Sequence, residues 1–246
     1  MKRILFICTL FFILLPGCFS QASVTPKTME QVTFTTSDGV TIYADYLAVP
    51  TLKGAKKAAL LLHMMPATRV SFHDLQNTLH NAGISSLAID LRGHGQSTKD
   101  PSGNLNYQNF NDSDHQKSSL DVDAALKFLN GKGFHNSAIS FVGASIGANL
   151  SLDALARYSE LPAAVLLSPG SDYRGVKTDT IISKLGSSQK VWLVATEGDT
   201  YSADSVRQLH TLMPSLILTV FKGSEHGTNM FQKNPSLIPD IVKFLQ

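Results

Sequence analysis

The chain has few residues that could form covalent or metal cross-links. Only two of its 246 residues are cysteines, Cys8 and Cys18, and both lie at the extreme N-terminus. No His-Glu-x-x-His or paired-cysteine spacing is present, so the sequence predicts neither a disulfide framework nor a metal site. Stability must come from an ordinary hydrophobic core, which a chain of this length can build as a single domain.

Excess charge of either sign is also missing. The formal net charge is +2, and Lys2 and Arg3 account for it, so the remainder of the chain is neutral. A neutral chain does not offer the basic surface that attracts nucleic acids, and we expect no nucleic-acid partner. No Gly-x-Gly-x-x-Gly follows a strand pattern, which excludes a dinucleotide-binding domain. We therefore expect no cofactor.

Long apolar runs are absent except at the N-terminus. There Ile4–Leu15 follows two basic residues and is shorter than a comfortable membrane span. A basic start followed by a short apolar block is typical of a secretory signal. We therefore predict a signal peptide over residues 1–22, followed by a folded domain over residues 31–246, and expect the protein to be exported.

Two ways of processing this leader remain open. Leu15-Pro-Gly-Cys18 resembles a bacterial lipobox, in which Cys18 becomes the lipidated first residue. The protein would then be a membrane-anchored lipoprotein, periplasmic or on the cell surface, and its N-terminal lipid would be its one membrane contact. Ser20-Gln-Ala22 is a small-x-small cleavage site that would instead release a soluble periplasmic or secreted protein.

The rest of the sequence alternates between strand-like and helical segments. The predicted strands are Gln31–Thr36, Thr41–Val49, Ala58–His63, Ser86–Asp90, Ala138–Val142, Ala163–Leu167, Val191–Ala195 and Leu216–Phe221. The predicted helices are Phe72–Asn81, Asp114–Asn130, Ile146–Tyr158, Ser202–Leu212 and Leu237–Leu245. This alternation predicts an α/β fold with a doubly wound, mostly parallel sheet and an N-terminal antiparallel hairpin. Residues 169–189 have room for one short helix around Thr180–Leu185, so no large cap domain is expected.

The pentapeptide Gly143-Ala-Ser-Ile-Gly147 stands directly between a predicted strand and a predicted helix. A serine on so sharp a turn is held in strained backbone geometry with its hydroxyl exposed, and the flanking glycines remove side chains that would clash. This arrangement is the nucleophile elbow of serine hydrolases. It makes Ser145 the candidate nucleophile.

Serine needs an adjacent base to accept its proton, and that base needs a third group to orient it. In a parallel sheet these groups come from loops at the carboxyl ends of strands. His226 follows the strand ending at Phe221 and is the candidate base. Asp199 follows the strand ending at Ala195 and is the candidate acid, with Asp172 and Asp204 as alternatives. Solvated side chains are expected for five other histidines on polar helix faces or loops: His73, His80, His115, His135 and His210.

These motifs together resemble those of the α/β-hydrolase superfamily, particularly small esterases of the dienelactone-hydrolase-like branch. The resemblance spans Val32–Leu245 and rests on Leu62-His-Met-Met-Pro66, Asp90-Leu-Arg-Gly-His-Gly-Gln-Ser97, the elbow, and the loops of Asp199 and His226. It implies an oxyanion hole formed by the backbone N–H groups of Ile146 and Met65. Many relatives carry His-Gly where this chain has His63-Met64. The side chains of Met64 and Met65 could line an acyl pocket or belong to the core.

The resulting hypothesis is a serine hydrolase that cleaves small carboxylic esters through an acyl-enzyme. A thioesterase, a lactonase or an acyltransferase would use the same three residues, and the sequence does not separate them. The alternative from another class is an exported binding protein that keeps the fold without activity. The presence of Ser145, Asp199 and His226 together argues against that alternative.

Overall fold

The computed structural model describes residues 28–50 and 56–246. The predicted signal peptide, residues 1–22, and the lipidation candidate Cys18 lie outside the described residues. In the described ranges the chain forms the strands β1 Met29–Thr35, β2 Thr41–Leu47, β3 Lys57–Leu62, β4 Ile84–Ile89, β5 Lys99–Asp100, β6 Gly103–Asn104, β7 Ile139–Ala144, β8 Ala163–Leu167, β9 Asp172–Tyr173, β10 Val176–Lys177, β11 Lys190–Thr196 and β12 Ile217–Phe221. The helices are α1 His73–Asn81, α2 Asp112–Gln116, α3 Ser118–Gly131, α4 Ile146–Arg157, α5 Thr178–Ile182, α6 Thr200–Leu212, α7 Met230–Lys233 and α8 Leu237–Leu245.

One large sheet organises the molecule. Its strands follow the order β12-β11-β8-β7-β3-β4-β2-β5-β6, with β1 paired to β2. The strands from β12 to β4 are all parallel, whereas β1, β2 and β5 pair antiparallel to their neighbours. This confirms the predicted doubly wound, mostly parallel sheet with an antiparallel N-terminal hairpin. The carboxyl ends of β3, β7, β8, β11 and β12 therefore lie along one edge of the sheet.

Alternating residues of each central strand enter two separate hydrophobic clusters. In β3, Leu60 and Leu62 join the cluster on one face, while Ala59 and Leu61 join the cluster on the other. Helices α3, α4 and α6 cover the first face, and α1 and α8 cover the second. Because both faces are buried, the strands have continuous apolar runs rather than an alternation of apolar and polar residues.

The stretch between β8 and β11 differs in detail from the prediction. It contains the short helix α5, as expected, but also a two-residue-per-strand hairpin of β9 and β10, with Asp172 paired to Lys177 and Tyr173 to Val176. Strands this short have no periodicity that a sequence pattern could reveal. As predicted, no large cap domain is present in this stretch.

The helix predicted over Asp114–Asn130 is divided into α2 and α3. Asn111 caps α2, accepting a hydrogen bond from Asp114, whose own side chain accepts one from the Asn111 N–H. His115 in this helix is buried against Phe110, which corrects the expectation that it is solvated. No helix within the described residues is both long and apolar enough to cross a membrane.

Candidate active site

Ser145 lies at the junction of β7 and α4. Its backbone has φ 54° and ψ −120°, a conformation that side-chain-bearing residues rarely adopt. The two neighbouring glycines make the turn sterically possible: a Cβ on Gly147 would lie 2.2 Å from the Leu62 carbonyl oxygen, and one on Gly143 would lie 2.1 Å from the Gly147 carbonyl oxygen. The chain thus forms the sharp strand–turn–helix geometry of a nucleophile elbow.

Asp199 and His226 meet at the ends of β11 and β12. The Nδ1 atom of His226 lies 2.7 Å from Asp199 Oδ2. Because a carboxylate only accepts hydrogen bonds, Nδ1 carries the proton of this pair and Nε2 of the neutral ring is the basic nitrogen. The sequence-predicted base and acid are therefore in direct contact.

The two alternative acids are placed elsewhere. Asp204 lies on α6 with its side chain 80% exposed and pairs with Arg207 at 3.2 Å. Asp172 is exposed in the β9–β10 hairpin, where its Oδ1 accepts a hydrogen bond from the Gly175 N–H. Of the three carboxylates considered, Asp199 is the one hydrogen-bonded to His226.

Ser168, at the end of β8, connects the loops of Asp199 and His226. It is fully buried with φ 50°, and its Oγ accepts a hydrogen bond from the Gly227 N–H at 3.0 Å. Burial acts to raise the pKa of Asp199, but His226 and the hydroxyl groups of Ser168 and Ser202 outweigh it and leave that pKa below its ordinary value. Asp199 is thus held as a carboxylate.

The His226 loop lies against the elbow. A Cβ placed on Gly227 would be 3.2 Å from the Ala144 Cβ, and the Ser145 N–H donates to the Leu167 carbonyl, next to Ser168. Within the described part of the chain, no hydrogen bond joins the Ser145 hydroxyl to the His226 ring. Such bonds are often long before substrate binds and shorten when it does.

The two predicted oxyanion donors come from the start of α4 and from the loop after β3. Ile146 is the first residue of α4, and N–H groups in the first turn of a helix have no intrahelical acceptor. Met65 follows β3 in the neighbouring loop, where it is half-buried and forms a cis peptide bond with Pro66.

Met64 and His63 are buried beneath this loop and pack against it. Met64 is buried in the core, and its Sδ would lie 2.5 Å from a Cβ on Gly227. The side chain of Met64 is therefore a core residue beneath the His226 loop, whereas Met65 is partly accessible. His63 hydrogen-bonds the Met64 carbonyl through Nδ1 and accepts from the Leu91 N–H through Nε2. Burial lowers the pKa of His63 to about 4, so its ring is neutral.

A buried ion-pair network holds the chain that follows Met65. The Arg69 guanidinium contacts Asp90 and lies 2.9 Å from Asp45 Oδ1. The Arg69 and Gln96 backbone N–H groups also donate to the Asp90 carboxylate, each at 2.9 Å. The Asp90 carboxylate therefore holds the loops of Arg69 and Gln96 in place, which is a structural role.

Sequence reasoning missed three polar residues around the site: Ser168, Tyr173 and Ser202. Tyr173 belongs to the β9–β10 hairpin, and its hydroxyl is 3.1 Å from Ser202 Oγ. Its ring stands edge-on to the His226 ring, with centroids 6.4 Å apart. No local pattern marks these residues, because their role comes from neighbours distant in sequence.

The described residues contain no group of three or more His, Cys, Asp or Glu side chains that could hold a metal ion. The chemistry that these side chains themselves offer is nucleophilic: a serine in strained geometry, beside a histidine oriented by a carboxylate.

Comparison with solved structures gives many proteins of the same fold. An esterase from Pyrococcus furiosus superposes with a TM-score of 0.70 at 19% identity, over 89% of this chain and 92% of the esterase. An esterase from Exiguobacterium antarcticum gives 0.67 at 13% identity, over 88% and 99%. A dienelactone hydrolase from Anabaena variabilis gives 0.62 at 17% identity, over 88% and 94%. At these identities the likeness shows the fold.

No curated protein is significantly similar in sequence. A family model, however, matches residues 53–207, more than half of the chain, and its description is serine aminopeptidase, S33. The matched region includes Ser145 and Asp199 and ends before His226. Together with the α/β-hydrolase fold, this match assigns the family: the chain belongs to the serine aminopeptidase S33 family of α/β hydrolases.

Proposed function

We propose that the protein hydrolyses carboxylic esters through an acyl-enzyme formed on Ser145, with His226 as general base and Asp199 as the residue that orients it. The observation that carries the proposal is the 2.7 Å Asp199–His226 hydrogen bond beside a serine at φ 54°. The three side chains come from the ends of three strands of one sheet. In the α/β-hydrolase fold this is where nucleophile, acid and base lie.

In the acylation step, Nε2 of His226 takes the Ser145 proton while Oγ attacks the ester carbonyl carbon. The Asp199 carboxylate stabilises the imidazolium that results and keeps Nδ1 protonated. The negative charge on the former carbonyl oxygen is received by the N–H groups of Ile146 and Met65. His226 then gives its proton to the leaving alcohol as the C–O bond breaks.

In the deacylation step, water attacks the acyl carbon and transfers a proton to Nε2 of His226. The tetrahedral intermediate collapses by breaking its bond to Ser145 Oγ, which takes that proton back. The acid product leaves and the free serine is restored. No cofactor is required by this cycle.

We favour an ester as substrate because two of the structural relatives are named esterases and a third is named a dienelactone hydrolase. Thioesterase, lactonase and acyltransferase activities use the same residues and remain alternatives. The family description supplies a second candidate, aminopeptidase activity on a peptide amide. Amides need the same acyl-enzyme but a more difficult leaving group.

The direct test combines active-site labelling with a substrate panel. The wild-type protein should react with a fluorophosphonate probe and hydrolyse p-nitrophenyl esters, and Ser145→Ala should do neither. Ester, thioester, lactone and aminoacyl-coumarin amide substrates in parallel rank the activities, and an added alcohol acceptor reports acyl transfer. A folded wild-type protein that neither labels nor turns over any substrate would leave the non-catalytic binding protein as the better account.

We further propose that the protein is exported, with Cys18 as the lipid acceptor of a bacterial lipoprotein. The support is the basic and apolar leader followed by Leu15-Pro-Gly-Cys18. Incorporation of labelled fatty acid should be lost in Cys18→Ser. Equal incorporation by both chains would rule out Cys18, and no incorporation together with secretion would favour cleavage after Ala22.

A further inference from the structure

The β9–β10 hairpin places an aromatic residue on the candidate active site. The hairpin is anchored by Tyr201, whose hydroxyl bonds the backbone N–H and the carbonyl of Asp172, each at 2.9 Å. The Tyr173 and Tyr201 rings pack edge to face at 5.5 Å, above Gly170. A Cβ on Gly170 would be 2.6 Å from the Tyr173 ring, so the absence of a side chain there lets the ring approach.

The Tyr173 hydroxyl is not needed to hold the hairpin. Backbone pairing with Val176 and the Tyr201 anchor do that. The hydroxyl instead lies 3.1 Å from Ser202 Oγ and close enough to the Ser145 hydroxyl for the two groups to interact. The hydroxyl is therefore within reach of the nucleophile as well as of Ser202.

The phenol keeps its proton at neutral pH. Burial raises the pKa of Tyr173 above its ordinary value, and the hydroxyls of Ser202 and Ser145 oppose this effect only in part. A neutral phenol has one proton to donate and can accept from a second group. The Ser202 hydroxyl stabilises the Asp199 carboxylate with its single proton, so Ser202 Oγ is left as an acceptor for the phenol. Rotation of the phenol O–H can turn its proton from Ser202 Oγ to Ser145 Oγ, and the Ser145 proton stays available to His226.

We propose that Tyr173 is a further catalytic residue, whose hydroxyl donates a hydrogen bond to Ser145 Oγ when this oxygen departs from the acyl-enzyme. The proposal rests on the proposed ester hydrolysis. In that step the bond between the acyl carbon and Oγ breaks, its electron pair goes to Oγ, and His226 supplies the proton. Tyr173 stabilises the growing charge on Oγ without giving up its own proton.

This role predicts an effect concentrated on deacylation. The Oγ of an acyl-enzyme is an ester oxygen and a weak acceptor, so the hydrogen bond strengthens mainly as Oγ becomes the leaving group. In the free enzyme Oγ carries its own proton and the phenol already interacts with the Ser145 hydroxyl, so acylation gains less. A p-nitrophenyl acetate assay separates the two steps, because release of p-nitrophenol reports acylation and the steady state reports deacylation when that step is slower.

The test compares Tyr173→Phe with Tyr201→Phe under stopped-flow conditions. For Tyr173→Phe we expect kcat to fall about 10-fold to 100-fold, the range for one hydrogen bond to a developing charge. We expect kcat/KM to change less than about threefold and a pre-steady-state burst to become larger. Tyr201→Phe loosens the hairpin without touching Ser145, and we expect it to change kcat and kcat/KM together.

Two results would overturn the proposal: a Tyr173→Phe enzyme with wild-type kcat, or parallel losses in kcat and kcat/KM in both variants. The second result would mean that Tyr173 acts through hairpin packing. A wild-type enzyme inactive toward every ester would instead contradict the proposed function, which keeps the two failures apart.

If Tyr173→Phe does not fold, fluorotyrosine at this position replaces it. Its phenol ionises at lower pH, so kcat should decline at lower pH than in the wild type, and an unchanged profile would also overturn the proposal.

Discussion

Ser168 is the residue whose backbone conformation most needs an explanation. It is fully buried, has φ 50° without being glycine, and its N–H donates to the Val194 carbonyl at 2.7 Å. A side chain in this region of φ is strained by roughly 1 kcal/mol or more. The compensation lies in the hydroxyl, which serves the Asp199 carboxylate and the Gly227 N–H at once. Ser168 is therefore a positioning residue for the Asp–His pair.

Replacing Ser168 by glycine should remove the hydroxyl while keeping a backbone that accepts positive φ. We expect the hydrolytic rate to fall about tenfold, because one hydrogen bond to a charged group is lost. The downfield NMR signal of the His226 Nδ1 proton, which reports its bond to Asp199, should shift or broaden. Ser140→Ala, which alters a buried serine within β7, is the control and should leave that signal in place.

Asp199→Asn should reduce kcat for ester hydrolysis about 10³-fold to 10⁴-fold. The amide keeps the size of the side chain but can donate to Nδ1 and so stabilise the wrong tautomer of His226. Asp204→Asn removes a solvent-exposed carboxylate of α6 and should retain wild-type activity. Equal activity of Asp199→Asn and the wild type would show that another group orients the base. Steady-state kinetics on both purified variants measures this.

The turn between β7 and α4 depends on two glycines for steric reasons. A Cβ on Gly147 would collide with the carbonyl oxygens of Leu62 and His63, at 2.2 and 2.8 Å, and both belong to backbone that cannot rotate away. The start of α4 is therefore held directly against the end of β3. This contact sets the spacing between the elbow and the Met65 loop, and with it the spacing of the two proposed oxyanion donors.

Gly147→Ala should destabilise the protein by about 1–3 kcal/mol or more, since the added methyl group forces the helix away from β3. Gly131→Ala is the matched control, because Gly131 ends α3 and a Cβ there meets nothing within 4 Å. It should be neutral or stabilise by roughly 0.5–1 kcal/mol. Urea unfolding followed by circular dichroism gives both values, and similar midpoints for the two variants would contradict this account.

At the scale of the whole molecule, two neutral histidines, His63 and His94, are buried beneath the loops at the carboxyl ends of the strands. His63 and His94 have ring centroids 4.9 Å apart, and His94 also stacks on Tyr107 at 3.9 Å. Burial lowers the pKa of each to about 4, and for His94 the neighbouring His63 adds to the effect. Protonating either ring would place a charge in a dry interior.

Acidification should therefore destabilise the fold. Below an ordinary histidine pKa of about 6.5 the unfolded chain binds protons that the folded chain refuses, so stability is complete above that pH. It is lost progressively as pH falls from about 6.5 to about 4. His94→Asn keeps a donor near the Arg92 carbonyl but cannot titrate.

The difference between the unfolding free energies of wild type and His94→Asn should shift by up to about 3 kcal/mol across this window, in favour of the variant at low pH. The other titrating groups are common to both proteins and cancel in the difference. A constant difference between pH 4 and 7 would mean that His94 has the same pKa in the folded and the unfolded chain.

Much of the fold could be predicted because its signals are local. The continuous apolar runs that became β3, β7, β8 and β11 are buried on both faces, and the alternation with helices indicated a parallel sheet before any contact was known. The predicted end of α8 agrees to the residue. The predicted helix over 114–130 was wrong in its continuity, because a capping box at Asn111 starts a separate short helix.

Local patterns could not identify residues that act through distant partners. The strands of the Tyr173 hairpin are two residues long and show no period, so the aromatic ring beside His226 had no signal in the sequence. His115 is polar and lies near a helix start, yet tertiary packing buries it. The choice of Asp199 over Asp172 and Asp204 also required distances.

The amino-acid sequence by itself determined the class of fold, the strand–turn–helix elbow at Ser145, and a short set of polar candidates at strand ends. Those features depend on a few neighbouring residues, and the backbone sterics of glycine and the period of apolar side chains act over that range. Only the tertiary structure decided which groups meet: Asp199 with His226, Ser168 with both of their loops, and Tyr173 with Ser202 and the His226 ring. A parallel sheet gathers chain segments that are far apart in sequence, and hydrogen bonds form only over the few ångströms that the assembled sheet sets.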